Sequence, residues 1–250
     1  MSSNEVKVKV SHMTKKFGDL LVLNDISFEV KKGEFLCVVG PTGCGKTTFL
    51  NCLTKLGVYQ LTSGEILINN EPVDLQKHNV AYIFQEYSAF SWQTVEENVA
   101  YGLKIKKRPP EEIKARVNEM LEMVGLTEYR NYYPNQLSAS MLQRVSIARA
   151  FAVQPELLLM DEPYGQLDNS LRYKLEDDLL RLWQHTGTTV IFITHNIEEA
   201  VYLSERILVL TNKPTGIKQE IVNDLPRPRD VTDLEFNKLR DKVTDLIKWW

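Results

Sequence analysis

The stretch GPTGCGKTT, Gly40 to Thr48, follows the apolar run FLCVV, Phe35 to Val39, and leads into KTTFLNCLTKL, Lys46 to Leu56. The apolar run is short and bounded by glycine, which fits a strand buried on both faces, and the segment after it has helical spacing. Between them the pattern G-x-x-x-x-G-K-[ST] is complete. A glycine loop in this strand-to-helix context is a phosphate cradle. Its backbone N–H groups turn inward, the helix amino end adds positive potential, and Lys46 brings a mobile point charge to the terminal phosphates. Gly40, Pro41, Thr42, Gly43, Cys44, Gly45, Lys46, Thr47 and Thr48 form the candidate site, with the Thr47 hydroxyl placed to reach Mg²⁺.

On the amino-terminal side, alternating apolar residues over Val6 to Val10 and Leu21 to Val30 predict two strands separated by a turn at KKFGD. On the other side, SGEILINN, Ser63 to Asn70, reads as half of a small hairpin, and VAYIFQ, Val80 to Gln85, as a further strand. Helical patterns then dominate from Thr94 to Ala152, with Pro109-Pro110 a start signal and Gly125 a stop. Strands return at LLLMDE (Leu157 to Glu162), TTVIFITH (Thr188 to His195) and RILVLT (Arg206 to Thr211). Strands alternating with helices predict an α/β core around a mainly parallel sheet covered on both faces. The end of the chain, DLPRPRD then VTDLEFNKLRDKVTDLIKWW, predicts a proline-stiffened turn and an amphipathic helix, with Trp249 and Trp250 packing on the core or on a partner.

The 250 residues, 43% hydrophobic and 25% charged, suffice for one large domain or two intimate lobes. A net charge of −3 offers no basic footprint, so nucleic acid is not an expected partner. Cys37, Cys44 and Cys52 form no CxxC pair, which argues against a disulfide framework or zinc site and is compatible with a reducing compartment. No apolar run is long enough to span a bilayer, so work at a membrane implies docking through other subunits.

Two further stretches carry chemistry. LLLMDEP ends an apolar strand in two carboxylates, and strand alternation sends Asp161 and Glu162 to opposite sides, hence to different tasks. Asp161 suits a metal ion held through water, and Glu162 suits polarising the water that attacks a γ-phosphate. Solvated strand-end acids are the plainer reading of such a pair taken alone. His195 closes TTVIFITH at the carboxyl end of a strand, where ligands of open α/β sheets gather; a packing histidine is its plainer reading.

Taken in order, GPTGCGKTT, Gln85, LSASMLQRVSIARA, LLLMDEP, PYGQLD and His195 resemble the ATPase subunits of ABC transporters over nearly the whole chain. The resemblance implies a P-loop NTPase (RecA-like) core with an antiparallel β subdomain and a helical ABC signature subdomain. The implied division is a core lobe over 1–85 and 155–225, a helical lobe over 86–154 and a tail over 226–250. It makes Gln85 a contact to metal and water, Asp168 the D-loop aspartate, His195 the γ-phosphate sensor and Phe17 the aromatic that stacks on adenine. Phe17 can also be read as a packing aromatic at a turn. It further implies ATP with Mg²⁺ held by Thr47, Gln85 and Asp161, and head-to-tail pairing with a second ATPase subunit, identical or paralogous. Each ATP would then meet Ser138, Ala139 and Ser140 of the partner, at a helix amino end.

Transmembrane permease subunits, an extracytoplasmic binding protein and a peripheral place on the cytoplasmic face of the membrane follow from the same resemblance. Tyr87, Phe90 and Trp92 would receive the permease, fill the lobe junction, or do both. SWQTVEENVAYGL, FAVQPELLLMDEPYGQLD, THNIEEAVYLSERILVL and DLPRPRD look most like the nitrate/sulfonate/taurine importer group. The chain departs from the family at Leu137-Ser138-Ala139-Ser140-Met141, where LSGGQ or LSGGM is usual, and at Tyr164 and Gln166, where the group has Phe and Ala. Glycine permits φ > 0 and close backbone approach, so Ala139 and Ser140 are expected to slow hydrolysis unless the loop tolerates them unchanged. A module that holds ATP without hydrolysing it is the rival reading. The intact Lys46, Asp161, Glu162 and His195 argue for hydrolysis. A non-transport ABC ATPase would carry a coiled-coil insertion, a tandem domain or a basic arm, none of which is present.

Overall fold

A computed structural model describes residues 5–165 and 169–247. Its contacts divide the chain into two compact units, one made of 1–78 with 189–250 and the other of 79–188.

In the first unit, β1 (Val6–Phe17) and β2 (Leu20–Lys31) form a long antiparallel hairpin. With β4 (Ser63–Ile68) and β5 (Glu71–Pro72) they make a sheet of order β2-β1-β4-β5. The turn between β1 and β2 is shorter than the KKFGD expected: Lys15, Lys16 and Phe17 continue the strand, and the reversal is left to Gly18, at φ 58°, and Asp19. Lys15 lengthens the strand because its side chain is buried, with Nζ donating to the carbonyls of Val58 and Gln60. Asn69 and Asn70 close the small hairpin with φ of 53° and 62°, the left-handed pair that a tight two-residue turn needs and that asparagine tolerates.

The second sheet of this unit runs β10-β9-β3-β8. In it β3 (Phe35–Val39) lies parallel to β8 (Thr189–Ile193) on one side and to β9 (Arg206–Leu210) on the other. β10 (Ile217–Val222) completes the edge antiparallel to β9. All five residues of β3 and all five of β8 are buried, as strands covered on both faces require. The helices α1 (Lys46–Cys52) and α6 (Ile197–Leu203) leave the carboxyl ends of β3 and β8, and α7 (Leu234–Ile247) follows the tail. α1 is shorter than its periodicity suggested because the chain tightens after Cys52, Leu53 N–H bonding to the Leu50 carbonyl and Lys55 turning to φ 52°.

The second unit pairs β6 (Val80–Ile83) with β7 (Leu157–Asp161) in parallel and carries α2 (Val95–Ile105), α3 (Pro110–Met123), α4 (Ala139–Ala152) and α5 (Asn169–Thr186). α2 starts on a reciprocal capping box, the Thr94 hydroxyl accepting from Glu97 N–H and the Glu97 carboxylate accepting from Thr94 N–H. α3 starts on Pro110 and stops ahead of Gly125, whose φ of 65° lets Leu126 N–H reach back to the Leu121 carbonyl.

Candidate functional site

The phosphate loop lies between β3 and α1 in the first unit. Two of its glycines are demanded by shape. Gly45 is the residue before the helix, at φ 112°, and a Cβ there would come within 2.9 Å of a Val22 methyl. At Gly40 a Cβ would meet the Leu210 side chain at 3.0 Å. α1 opens on glycine and no side chain caps its amino end, the end of a helix that attracts an anion. Lys46 is buried and curls back over the loop, its Nζ donating to the carbonyls of Gly40 at 3.2 Å and Pro41 at 3.3 Å. Thr42, Gly43 and Thr47 are exposed, and Thr48 is half-buried.

Cys44 packs inward, its carbonyl accepting from the Thr215 hydroxyl. Burial raises the Cys44 thiol above its ordinary pKa and pushes Cys52 up to about 11. Like Cys37 they are buried and outside any disulfide, packing residues rather than nucleophiles.

Phe17 is the last residue of β1 and is 38% exposed. Lys15 Nζ lies 4.6 Å from its ring centroid and Tyr59 meets it edge-on at 6.1 Å, so the ring is braced rather than buried. His195 is exposed, two residues past the end of β8. Its neighbours are firmly held: Thr194 N–H donates to the Val38 carbonyl, the Thr194 hydroxyl donates to the buried Glu199 carboxylate at 2.5 Å, and Asn196 caps α6.

In the second unit, Gln85 lies in a bend beyond β6 and is exposed, so it follows the strand rather than closing it. Asp161 is the last residue of β7 and is buried, with the Tyr82 hydroxyl donating to its Oδ2 at 3.5 Å. Glu162 lies outside the strand at φ 44°. The two carboxylates therefore separate by a left-handed turn of the backbone and not by strand alternation. A non-glycine residue held there is strained, and such strain gathers where a side chain must be aimed.

α4 opens on Ser138, whose hydroxyl oxygen accepts from Met141 N–H at 3.3 Å and lies 3.1 Å from the Ser140 hydroxyl. Ser138 and Ala139 are exposed, and Ala139 and Ser140 are already helical. Neither position has φ > 0, so the backbone here does not require glycine at either. Tyr164 is fully buried, its hydroxyl donating to the Leu175 carbonyl at 3.2 Å, which accounts for tyrosine where the group has phenylalanine. Asp168 and Gln166 lie outside the described residues, as do Trp249 and Trp250.

One arrangement was not legible in the sequence. Arg149 of α4 donates to the Ser88 carbonyl at 2.8 Å and the Ser88 hydroxyl at 2.6 Å, and its guanidinium lies 4.8 Å from the Phe90 ring centroid. Asn98, fully buried on α2, accepts from Phe90 N–H at 2.7 Å and donates to the carbonyls of Phe90, Gln93 and Thr94. Together they grip the segment that follows Gln85. The one signal was a polar residue on the apolar face of α2, between Val95 and Val99.

Among the described residues no group of three or more His, Cys, Asp and Glu side chains could hold a metal ion. Thr47 in the first unit carries a hydroxyl, and Gln85 and Asp161 in the second carry an amide carbonyl and a carboxylate, each a hard oxygen donor of the kind Mg²⁺ takes.

The ABC transporter family model matches residues 23–165. An uncharacterized ABC transporter ATP-binding protein of Methanocaldococcus jannaschii is 42% identical over 98% of this chain and 92% of its own. The aliphatic sulfonates import ATP-binding protein SsuB of Bacillus thuringiensis subsp. konkukian is 42% identical over 97% of this chain and 94% of its own. Among solved structures, the dimeric bacterial ABC transporter cassette MJ0796 superposes with a TM-score of 0.75 at 33% identity, covering 88% of this chain and all of that one. The same cassette is also known in a post-hydrolysis state bound to ADP and Pi. The chain belongs to the ABC transporter family, with the P-loop α/β fold of its cassettes. Within the family it is an ATP-binding subunit and an ATPase, and its resemblance to the sulfonate importers holds across nearly its full length.

Proposed function

We propose that the chain is the ATP-hydrolysing subunit of an importer for a small anionic solute, an aliphatic sulfonate first among them. The observation that carries the phosphate chemistry is the loop: an uncapped helix start behind Gly45 with the Lys46 ammonium folded over it. Such a cradle holds the β- and γ-phosphates, while Phe17, braced on one side by Lys15, offers its ring to the adenine. Mg²⁺, held by Thr47, Gln85 and Asp161, would neutralise charge on the β- and γ-phosphates.

Glu162 accepts the proton of the attacking water, and His195 steadies the γ-phosphate as charge shifts. This work is positioning and electrostatics, with no covalent intermediate on the protein. Ser138, Ala139, Ser140 and Asp168 serve the nucleotide of a second ATPase subunit, identical or paralogous, in a head-to-tail pair; the dimeric cassette supports this reading. The lobe division at 86–154 is retained in the same reading.

Among the described residues no helix is long and apolar enough to cross a membrane. Transport therefore calls for separate permease subunits and an extracytoplasmic binding protein, with the chain docked on the cytoplasmic face. Direction and substrate class rest on the sulfonate import relatives. Uptake of a labelled alkanesulfonate by cells lacking this chain tests them. Loss of uptake, restored by wild type and not by Lys46→Ala, is expected. Undiminished uptake of that alkanesulfonate with loss of nitrate or taurine uptake would reassign the substrate.

A further inference from the structure

The motif DLPRPRD has no place in the phosphate chemistry, yet its two arginines make one of the densest sets of hydrogen bonds in the first unit. α6 is only seven residues long, and a helix that short has few internal bonds and exposes most of its carbonyls at the carboxyl end. Those carbonyls are taken up by the tail. Arg229 donates to the carbonyls of Val201 at 2.7 Å, Tyr202 at 2.9 Å and Ser204 at 2.7 Å, and its Nε and second Nη reach Leu225 and Asn223. Arg227 donates to Tyr202 at 3.2 Å and to Leu203. The buried Asn223 amide adds bonds to Val201 at 2.8 Å and Ser204 at 3.1 Å. Two guanidinium cations thus sit at the negative end of the α6 dipole.

The other end of α6 begins at Ile197, two residues after His195, with Asn196 as its cap. Asn196 Oδ1 accepts from Glu198 and Glu199 N–H, and Asn196 N–H itself donates to the Thr194 hydroxyl at 2.9 Å. His195 is thus the exposed residue of a linker fixed at Thr194 by β3 and at Asn196 by α6. The backbone that carries the imidazole is therefore set in part by α6.

We propose that Arg229, assisted by Arg227, is a positioning residue for His195. By closing the carboxyl end of α6 the tail arginines fix the helix against which the linker from β8 is set, and so fix the imidazole that meets the γ-phosphate. The inference rests on the reading of His195 given above. Arginine suits the task because its planar fork serves several carbonyls at once, whereas lysine can satisfy only part of the set.

The test is steady-state ATP hydrolysis by the full chain carrying Arg229→Ala, Arg229→Lys, Arg227→Lys, His195→Ala and the double variant His195→Ala with Arg229→Ala, with thermal unfolding followed alongside. Arg229→Ala should lower kcat by about tenfold or more while KM for ATP moves less than about twofold, and Arg229→Lys should recover part of the loss. In the His195→Ala background Arg229→Ala should cost less than about a further twofold, because residues that act through one another are not additive. If Arg229→Ala does not fold, the same comparison is made with Arg229→Lys in both backgrounds. Losses that multiply, or a folded Arg229→Ala with wild-type kcat, overturn the proposal alone. A wild-type kcat in His195→Ala overturns the reading of His195 and the proposal with it.

Discussion

At the scale of single residues, backbone angles decide what Glu162 and the start of α4 can do. Glu162 holds φ 44° at the end of an apolar strand, a geometry the string LLLMDEP cannot announce, because alternation alone predicts two opposed acids. The identity of the acids was legible; the turn that parts them was not. Ala139 and Ser140 invert the case. Their types stand out against LSGGQ, but they are helical, and helix dihedrals suit alanine better than glycine. Ala139→Gly with Ser140→Gly should therefore leave kcat within about twofold and lower stability by at most about 1 kcal/mol per glycine, read by phosphate release and urea unfolding. A large gain in rate would show that these residues limit turnover after all.

At the scale of elements, the strands that frame the loop could be read because each is an unbroken apolar run. Boundaries slipped where a side chain far along the chain decides them, as when the carbonyls of Val58 and Gln60 keep Lys15 in β1. α2 rests on its capping box and on Asn98, and Thr94→Ala should destabilise the protein by about 1 kcal/mol in chemical unfolding. Glu97 adds a pH dependence of definite sign. Its hydrogen bond from Thr94 N–H lowers its carboxyl pKa, so the stabilisation is present at neutral pH and is lost as pH falls through the folded value. Unfolding midpoints for wild type and Glu97→Gln should converge in acid. Arg149 joins α4 to the segment after Gln85, and Arg149→Ala leaves the Ser88 carbonyl and hydroxyl without this donor. It should cost about 2 kcal/mol and speed hydrogen exchange at the Phe90 amide, which Asn98 otherwise protects. Slow exchange at Phe90 in a folded Arg149→Ala would place the grip with Asn98 alone.

At the scale of the whole molecule, the residues proposed for the chemistry are found in both units. The phosphate loop, Phe17 and His195 belong to the first, and Gln85, Ser138, Asp161 and Glu162 to the second. The first unit is interrupted by the second, so His195 returns to it after Glu162, but the order of the motifs along the chain is what made the resemblance to ABC ATPases visible. The amphipathic helix of the tail was legible too, but the contacts of Arg227 and Arg229 were not, because both donate to carbonyls of α6 more than twenty residues away. The central claim is that this chain hydrolyses ATP with Glu162 as the residue that activates water. Phosphate release by the full chain, wild type against Glu162→Gln, measures it. Glu162→Gln should still bind ATP but lose about a hundredfold or more in rate, the scale of a general base. Equal rates in the two proteins would contradict it.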